Sequence, residues 1–281
     1  KIDLSVAGRH EDYSDFGTAD TAKISGRFAP IEQFAVRGTL STGFRAPSLP
    51  QQHYASSSTI GVLLPGATST VLYPVQLLPP DSPAAMALGA KPLKPEKSNN
   101  ISFGFVAKPI PGLNITADVY KIEIKDRIMQ SATLGGSPVA VQLAVSAALR
   151  TAGVNPNQAA FYYANAADTT TKGLDVVADY RTDLGGFGSV KWTVSANFNK
   201  TKFDRITAPP AALAALGAVL INRVKIGDFT TATPKDKYIA SANWTLDKYS
   251  AILRLTRFGK VKQTATSAAN DEYVSPALIV D

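Results

Sequence analysis

The sequence predicts an all-β protein, an antiparallel transmembrane β-barrel of which about ten strands lie in these 281 residues. Three observations predict it. Apolar and polar residues alternate with period two along most of the chain. Short and long connections between the alternating runs also alternate. No apolar run reaches the ~18 residues of a spanning helix, so membrane residence has to come from strands.

Composition narrows the class. Hydrophobic residues are 45% and charged residues 18%, with mean hydropathy near zero. That excludes a helical membrane protein and a disordered chain. Cysteine is absent, which suits a periplasm-exposed protein and a cytosolic one equally. The net charge of +7 raises nucleic acid as a partner. However, the positive residues are spread singly, as at Lys23, Arg27, Arg37 and Lys191. A basic surface or lumen is the milder reading, with no nucleic-acid partner. No signal peptide opens the chain. It begins at Lys1-Ile2-Asp3-Leu4 already alternating and ends on Ala277 to Asp281 in the same way. It therefore reads as a piece of a longer barrel.

A strand places successive side chains on opposite faces. Ile2, Leu4 and Val6 oppose Asp3, Ser5 and Arg9. Ala22, Ile24, Gly26 and Phe28 oppose Lys23, Ser25 and Arg27. Phe34, Val36, Gly38 and Leu40 oppose Gln33, Arg37, Thr39 and Ser41. Ile101, Phe103, Phe105 and Ala107 form the fourth run, and Leu113, Ile115, Ala117 and Val119 the fifth. After Val119 the apolar phase flips to Ile122 and Ile124. This reads as the strand leaving the bilayer, although a bulge would give the same pattern. Leu174, Val176, Ala178 and Tyr180 make the sixth run.

The seventh is the clearest. Val190, Trp192, Val194, Ala196 and Phe198 should face outward, with Lys191, Thr193 and Asn197 on the other side. Tyr238, Ala240, Ala242 and Trp244 follow, then Ala251, Leu253 and Leu255, and a tenth run starts near Tyr273. Val177, Ile239 and Ile252 break the pattern by sitting on polar faces.

A soluble sandwich also alternates. Here the wet face carries Lys, Arg, Asp and Asn at mid-strand, which suits a water-filled interior. Tight turns are expected near Ala29-Pro30, Pro109–Gly112, Leu184–Gly188 and Asp247-Lys248, where Gly, Pro and Asp supply turn chemistry. Long links are expected at 44–97, 130–168, 204–235 and 261–272, with a shorter one near 12–18. Outer-membrane barrels have short periplasmic turns and long extracellular loops, and a sandwich has no reason to sort loops by parity. Tyr180, Trp192, Tyr238, Trp244 and Tyr249 fall near strand ends, where interfacial aromatics belong. The expected location is the outer membrane of a Gram-negative bacterium, in contact with the lipid bilayer.

Two loops carry helix signals. Ser137, Pro138, a body from Val139 to Arg150 and Gly153 read as N-cap, N1 proline, helix and C-terminal glycine. Thr207, Pro209-Pro210, Leu213, Leu216 and Gly217 read similarly. Either segment could be a lid over a ligand; a compact element filling a long loop is the plainer reading.

Three stretches resemble TonB-dependent outer-membrane receptors. Arg37 to Leu49 contains Gly43-Phe44-Arg45-Ala46-Pro47, similar to that family's strand-ending turn. Leu93 to Gly104 contains Leu93-Lys94-Pro95-Glu96, similar to its Leu-x-Pro-Glu strand entry. Asn114 to Ile128 resembles the strand that follows, and the order and separation of the three also match. The resemblance implies a barrel of ~22 strands with an N-terminal plug inside it. Residues 1–281 would form a partial barrel domain, roughly strands 11 to 20 of such a barrel, with the plug, TonB box, early strands and last strands outside it. It further implies uptake of a scarce solute, most often a ferric siderophore or similar chelate, energised by the TonB-ExbB-ExbD complex through the plug.

The chemistry of individual residues adds little certainty about cargo. His10 and His53 are the only histidines, too few for a typical zinc site, and no metal or cofactor is expected. Arg45, Gln52, His53, Tyr54, Tyr73, Tyr162 and Tyr163 are the candidate ligand contacts in the loops. Tyr and Arg offer aromatic faces, hydrogen bonds and anion binding; the plainer reading is loop packing. Arg45-Ala46-Pro47 and Pro95-Glu96 read as anchors for strand entry. Two other functions stay in view: a barrel enzyme of rim protease or lipase type, with His10 near Glu11, Asp12 and Asp15 as its rim, and a structural or adhesive barrel. No catalytic residue is assigned.

Overall fold

A computed structural model describes residues 1–14, 16–62, 71–136 and 138–281. In chain order it holds β1 (Ile2–Tyr13), β2 (Gly17–Ile31), β3 (Phe34–Arg45), α1 (Leu49–His53), β4 (Ser56–Val62), β5 (Val71–Leu78) and α2 (Pro83–Ala87). Then come β6 (Glu96–Ala107), β7 (Leu113–Gln130), α3 (Val139–Thr151), β8 (Ala159–Asp183), β9 (Ser189–Ile206), α4 (Ala211–Ala214) and α5 (Arg223–Thr230). The last elements are β10 (Asp236–Leu246), β11 (Tyr249–Phe258), β12 (Val261–Gln263), β13 (Glu272–Val274) and β14 (Ala277–Val280).

Ten of these strands form one antiparallel meander in the order β1-β2-β3-β6-β7-β8-β9-β10-β11-β14. The hairpin β4–β5 joins it through a parallel pairing of β5 with β8, giving a sheet of 12 strands. Among the described residues β1 and β14 are not paired with each other, so the sheet does not close. Antiparallel neighbours send successive connections to opposite ends. Residues 32–33, 108–112, 184–188 and 247–248 therefore lie at one end, the turn end, and all the long connections lie at the other, the loop end.

Register turns the alternation into rows. Phe103, Val119, Leu174 and Phe198 are cross-strand neighbours. So are Leu113, Tyr180, Trp192, Ala242 and Leu253. Val194 is 59% exposed and Trp192 48%, so the apolar face is the uncovered one; Val190 shares it by register but is buried. The opposite face carries Lys191 beside Asp179 at 3.4 Å, Thr193 donating to Asp179 and Arg37 paired with Asp118. On β9 the apolar stretch from Val190 to Phe198 has the length that a tilted membrane strand needs.

The apolar band also drifts. On β3 it covers Phe34 to Leu40, whose register partners on β9, traced through β6, β7 and β8, are Val194 to Lys200. On β9 itself the band ends at Phe198, one row nearer the turn end. Strand tilt in a barrel requires such a drift, because a row perpendicular to tilted strands climbs relative to the bilayer.

Several expectations are corrected. The turn placed near Ala29-Pro30 is at Glu32-Gln33, since β2 continues to Ile31 with a register shift between Phe28 and Ile31. Proline lacks a ladder donor and is accommodated at such irregularities. Tyr273 belongs to the small β12–β13 ribbon, and the tenth strand starts at Ala277. The link 130–168 is shorter, because β8 runs 25 residues from Ala159. The phase flip at Ile122 and Ile124, by contrast, needs no correction, since register is continuous from Leu113 to Ile124 and no bulge intervenes. The strand leaves the apolar band there, and Lys121, Glu123 and Lys125 take the outer positions. The expected N-cap Ser137 lies outside the described residues, and Pro138 is the residue that precedes α3 rather than its first. Gly153 and Gly217 do follow their helices with φ of +71° and +84°, a backbone region that glycine enters without strain.

Candidate functional site

The buried hydrophobic cluster of this protein lies at the loop end. Ala85 and Leu88 of the α2 segment, Val145 and Leu149 of α3, Leu134, and Tyr162 of β8 pack together with Leu213, Leu220 and Ile221. Val141, Val145 and Leu149 recur at helical spacing, so one face of α3 meets this core. Tyr162 is 1% exposed and donates its hydroxyl to the Leu88 carbonyl at 3.0 Å. The long connections are thus tied into a packed cap.

Polar clusters join that cap to the sheet. Arg45 ends β3 and binds Glu96 with two hydrogen bonds, 2.9 Å from Nε and 2.7 Å from Nη2. Glu96 is buried and also accepts the Ile128 amide at 2.7 Å. A buried carboxylate needs this number of donors, so Arg45 and Glu96 lock β3, β6 and β7 at the cap. Asp126 has φ of +52° beside the register shift between Ile124 and Arg127. Its carboxylate takes Arg205 Nη2 at 3.0 Å, and Asp168 takes Arg205 Nε at 2.8 Å. Asn165 clamps the segment before β6, accepting from the Lys94 amide and donating to the Lys94 carbonyl, both at 2.8 Å.

Three cavities meet along 91–95. One of about 480 Å³ is walled by Lys91, Lys94, Asp126, Tyr162, Asn165 and Arg205 among others. Pro92 also lines a second, of about 350 Å³, with Gln52, His53 and Asp81. Lys94 also lines a third, of about 810 Å³, with Phe16, Phe44 and Asp126. Arg205 is neutralised by two carboxylates. Lys91 and Lys94 are exposed and form no ion pair among the described residues. Two uncompensated ammonium groups in adjoining concave spaces attract an anionic solute.

The structure does not bring the seven sequence candidates into one cavity. Gln52 and His53 share one, with Tyr54, exposed, immediately after them. Arg45 is engaged by Glu96. Tyr73 lies on β5 and its hydroxyl accepts from Gln142. Tyr162 and Tyr163 sit in β8 rather than in a loop; Tyr162 is buried in the cap's apolar cluster and walls the cavity at Lys91, and Tyr163 is half-buried. Sequence reasoning missed Lys91, Lys94, Asp126, Asn165 and Arg205. Leu93-Lys94-Pro95-Glu96 reads as strand entry, and the proline-flanked lysine in that segment is the one signal the sequence carries. His10 pairs with Asp20 at 2.6 Å across β1 and β2 rather than with Glu11, which holds Arg9 and Tyr13; Asp15 lies outside the described residues. Among the described residues no three His, Asp or Glu cluster as a metal site.

A family model described as TonB dependent receptor-like, beta-barrel matches residues 1–281. The chain belongs to the TonB-dependent receptor family. That is an outer-membrane family of transport receptors, not enzymes, and the rim protease or lipase reading is set aside on this ground. The receptor chain is similar in fold to the ferric enterobactin receptor PfeA of Pseudomonas aeruginosa, with 17% identity and a TM-score of 0.60 over 99% of this chain and 34% of that one. It is similar to the siderophore receptor PirA of Acinetobacter baumannii, at 14% identity and a TM-score of 0.59 over 99% and 36%. The FrpB iron transporter of Neisseria meningitidis gives 13% identity and a TM-score of 0.57 over 99% and 35%. Curated protein sequences give no match. The receptor chain spans about a third of the length of these solved structures.

Proposed function

We propose that these residues form part of the barrel of an outer-membrane receptor that takes up a scarce anionic solute, a ferric siderophore or similar chelate. The observation that carries the reading is the placement of Lys91 and Lys94, unpaired, where three cavities adjoin at the loop end. A ferric chelate carrying net negative charge gains from both ammonium groups and from the stacking and hydrogen-bonding surface of Gln52, His53 and Tyr54. Tyr162 walls one of these cavities, Arg45 anchors β3 to Glu96, and Tyr73 bonds Gln142 of α3. The proteins of similar fold include a ferric enterobactin receptor, a siderophore receptor and an iron transporter, which supports an iron chelate over other cargo.

Transport then needs no covalent chemistry. A plug within the completed barrel blocks the lumen, and TonB-ExbB-ExbD delivers energy to rearrange it. In this proposal the plug, the TonB box and the remaining strands lie outside residues 1–281.

Radioactive iron uptake by iron-starved cells tests the reading, using the full receptor gene and a panel of ferric catecholate and hydroxamate siderophores. Uptake of at least one chelate, dependent on TonB and weakened about tenfold in affinity by Lys91→Gln with Lys94→Gln, is expected. Uptake of none, or equal affinity in the double variant, contradicts it.

A further inference from the structure

The wall of the sheet splits between β2 and β3. Their pairing ends at Lys23 and Ser41, yet β2 stays paired with β1 up to Gly17 and β3 with β6 up to Arg45. Across the split the Ala22 amide donates to Thr42 Oγ1 at 2.9 Å. At its loop-end limit Phe44 meets Phe16 and Tyr13, with ring centroids 6.2 and 5.9 Å apart. A backbone ladder closes a membrane wall, and where the ladder stops the groups facing the split need other partners.

The split is hollow. A cavity of about 410 Å³ at its turn-end limit is lined by Val6, Ile24, Leu40 and Ile101, with Thr42 and Asn99 among the rest. Val6, Ile24, Leu40 and Ile101 form one cross-strand row on the apolar face. The cavity of about 810 Å³ shares Thr42 and Asn99 with this one. It also shares Lys94 and Asp126 with the cavity of about 480 Å³ at Lys91. Polar and apolar hollows thus form one continuous run, with the ammonium groups of Lys91 and Lys94 at one end and aliphatic side chains at the other. Lys97, at the wall of the middle cavity, and Ile101 stand four residues apart on β6, ~13 Å of strand. A decanoyl chain covers that span.

We propose that the solute is an amphiphile, an anionic ferric chelate carrying an acyl tail. The head lies at Lys91 and Lys94, and the tail runs through the split onto Leu40, Ile24 and Ile101. A tail tethered by its own head meets the groove at high effective concentration, which favours it over the free acyl chains of the bilayer. Each methylene it buries removes further apolar area from water. The inference rests on the receptor reading, because it names the chemical class of that receptor's cargo.

Equilibrium binding to the full receptor on intact cells lacking TonB tests it. The probes are a radioactive ferric tris-catecholate, bare or with a decanoyl tail, and receptor-free cells give the blank for partition into lipid. The tailed chelate is expected to bind at least about tenfold tighter than the bare one. Leu40→Trp with Ile101→Trp, which fills the groove with side chains that a lipid-facing wall accepts, is expected to remove that advantage and leave the bare chelate unchanged. Should the double variant fail to assemble, Leu40→Phe alone fills part of the groove and is expected to shrink the same advantage. Equal affinity of the two chelates for the parent overturns the acyl assignment and leaves the receptor reading standing. A tail advantage undiminished in the groove variants overturns the placement of the tail. Binding of neither chelate to the parent overturns the receptor reading itself, and the inference with it.

Discussion

Arg37 on β3 and Asp118 on β7 form a two-bond ion pair across the strand between them, at 2.9 Å from Nε and 2.5 Å from Nη2. The two side chains meet over Gly104, the register partner of both. A Cβ at Gly104 would overlap the Asp118 carboxylate and stand 2.5 Å from the Ala117 carbonyl oxygen. Glycine there is a requirement of close approach, not of backbone angle.

Gly104→Val should therefore destabilise the receptor by about 1–3 kcal/mol through overpacking. Arg37→Ala should cost less, about 0–1 kcal/mol, because the pair is half exposed on the wet face. Thermal unfolding in detergent, followed by heat-modifiable gel mobility, ranks the two. A larger loss from Arg37→Ala would contradict the close-approach explanation.

A second prediction concerns the loop between β11 and β14. Asp271 accepts from Arg223 and Lys262 and from the Ala265 amide. Hydrogen bonds from Arg223, then Lys262, hold its carboxyl well below the ordinary carboxylate range. A depressed folded value means that the contribution is complete above the unfolded pKa of ~3.9 and is lost as pH falls from there through the folded value. Hydrogen-exchange protection of the Ala265 amide should hold constant from neutral pH down to ~4 and weaken only below it. In Asp271→Asn it should be weak throughout. Loss of protection already at pH 6 in the parent would contradict the assignment.

The outer face supplies a third. Leu4, Val6, Phe103, Val194 and Leu253 are each more than half exposed, and β1 and β14 leave open edges that template association. The 281-residue chain in buffer without detergent should elute as aggregates in size-exclusion chromatography with light scattering. A monodisperse monomer would contradict a lipid-facing surface.

Much of the fold is readable in the sequence because period two is a local property. The faces of β9, the first nine meander strands and three of the four tight turns follow from it directly. Pro30 misleads because proline marks both turns and strand irregularities, and only the pairing of Ile31 with Phe34 decides. β4 and β5 escape for another reason: Val75 pairs in parallel with Ala159, a contact that no local pattern encodes. The candidate site is less legible. Lys91 and Lys94 look like ordinary loop lysines until Asn165, 71 residues away from Lys94, fixes the segment. The split between β2 and β3 likewise exists only once their pairing stops at Lys23 and Ser41.

The orientation of the sheet is the most direct test of the membrane reading. Ser57, exposed on β4, lies at the loop end, and Gly186, exposed between β8 and β9, lies at the turn end. Thr170, though near the loop end, is buried within β8 and bonded to Asp204, so it is unsuited to labelling. With Ser57→Cys and Gly186→Cys in the full receptor, intact cells are treated with a membrane-impermeant thiol reagent, and lysed cells serve as the control. Ser57→Cys should label in both, and Gly186→Cys only after lysis. Labelling of Gly186→Cys on intact cells, at the level of Ser57→Cys, would contradict a barrel with its tight turns in the periplasm.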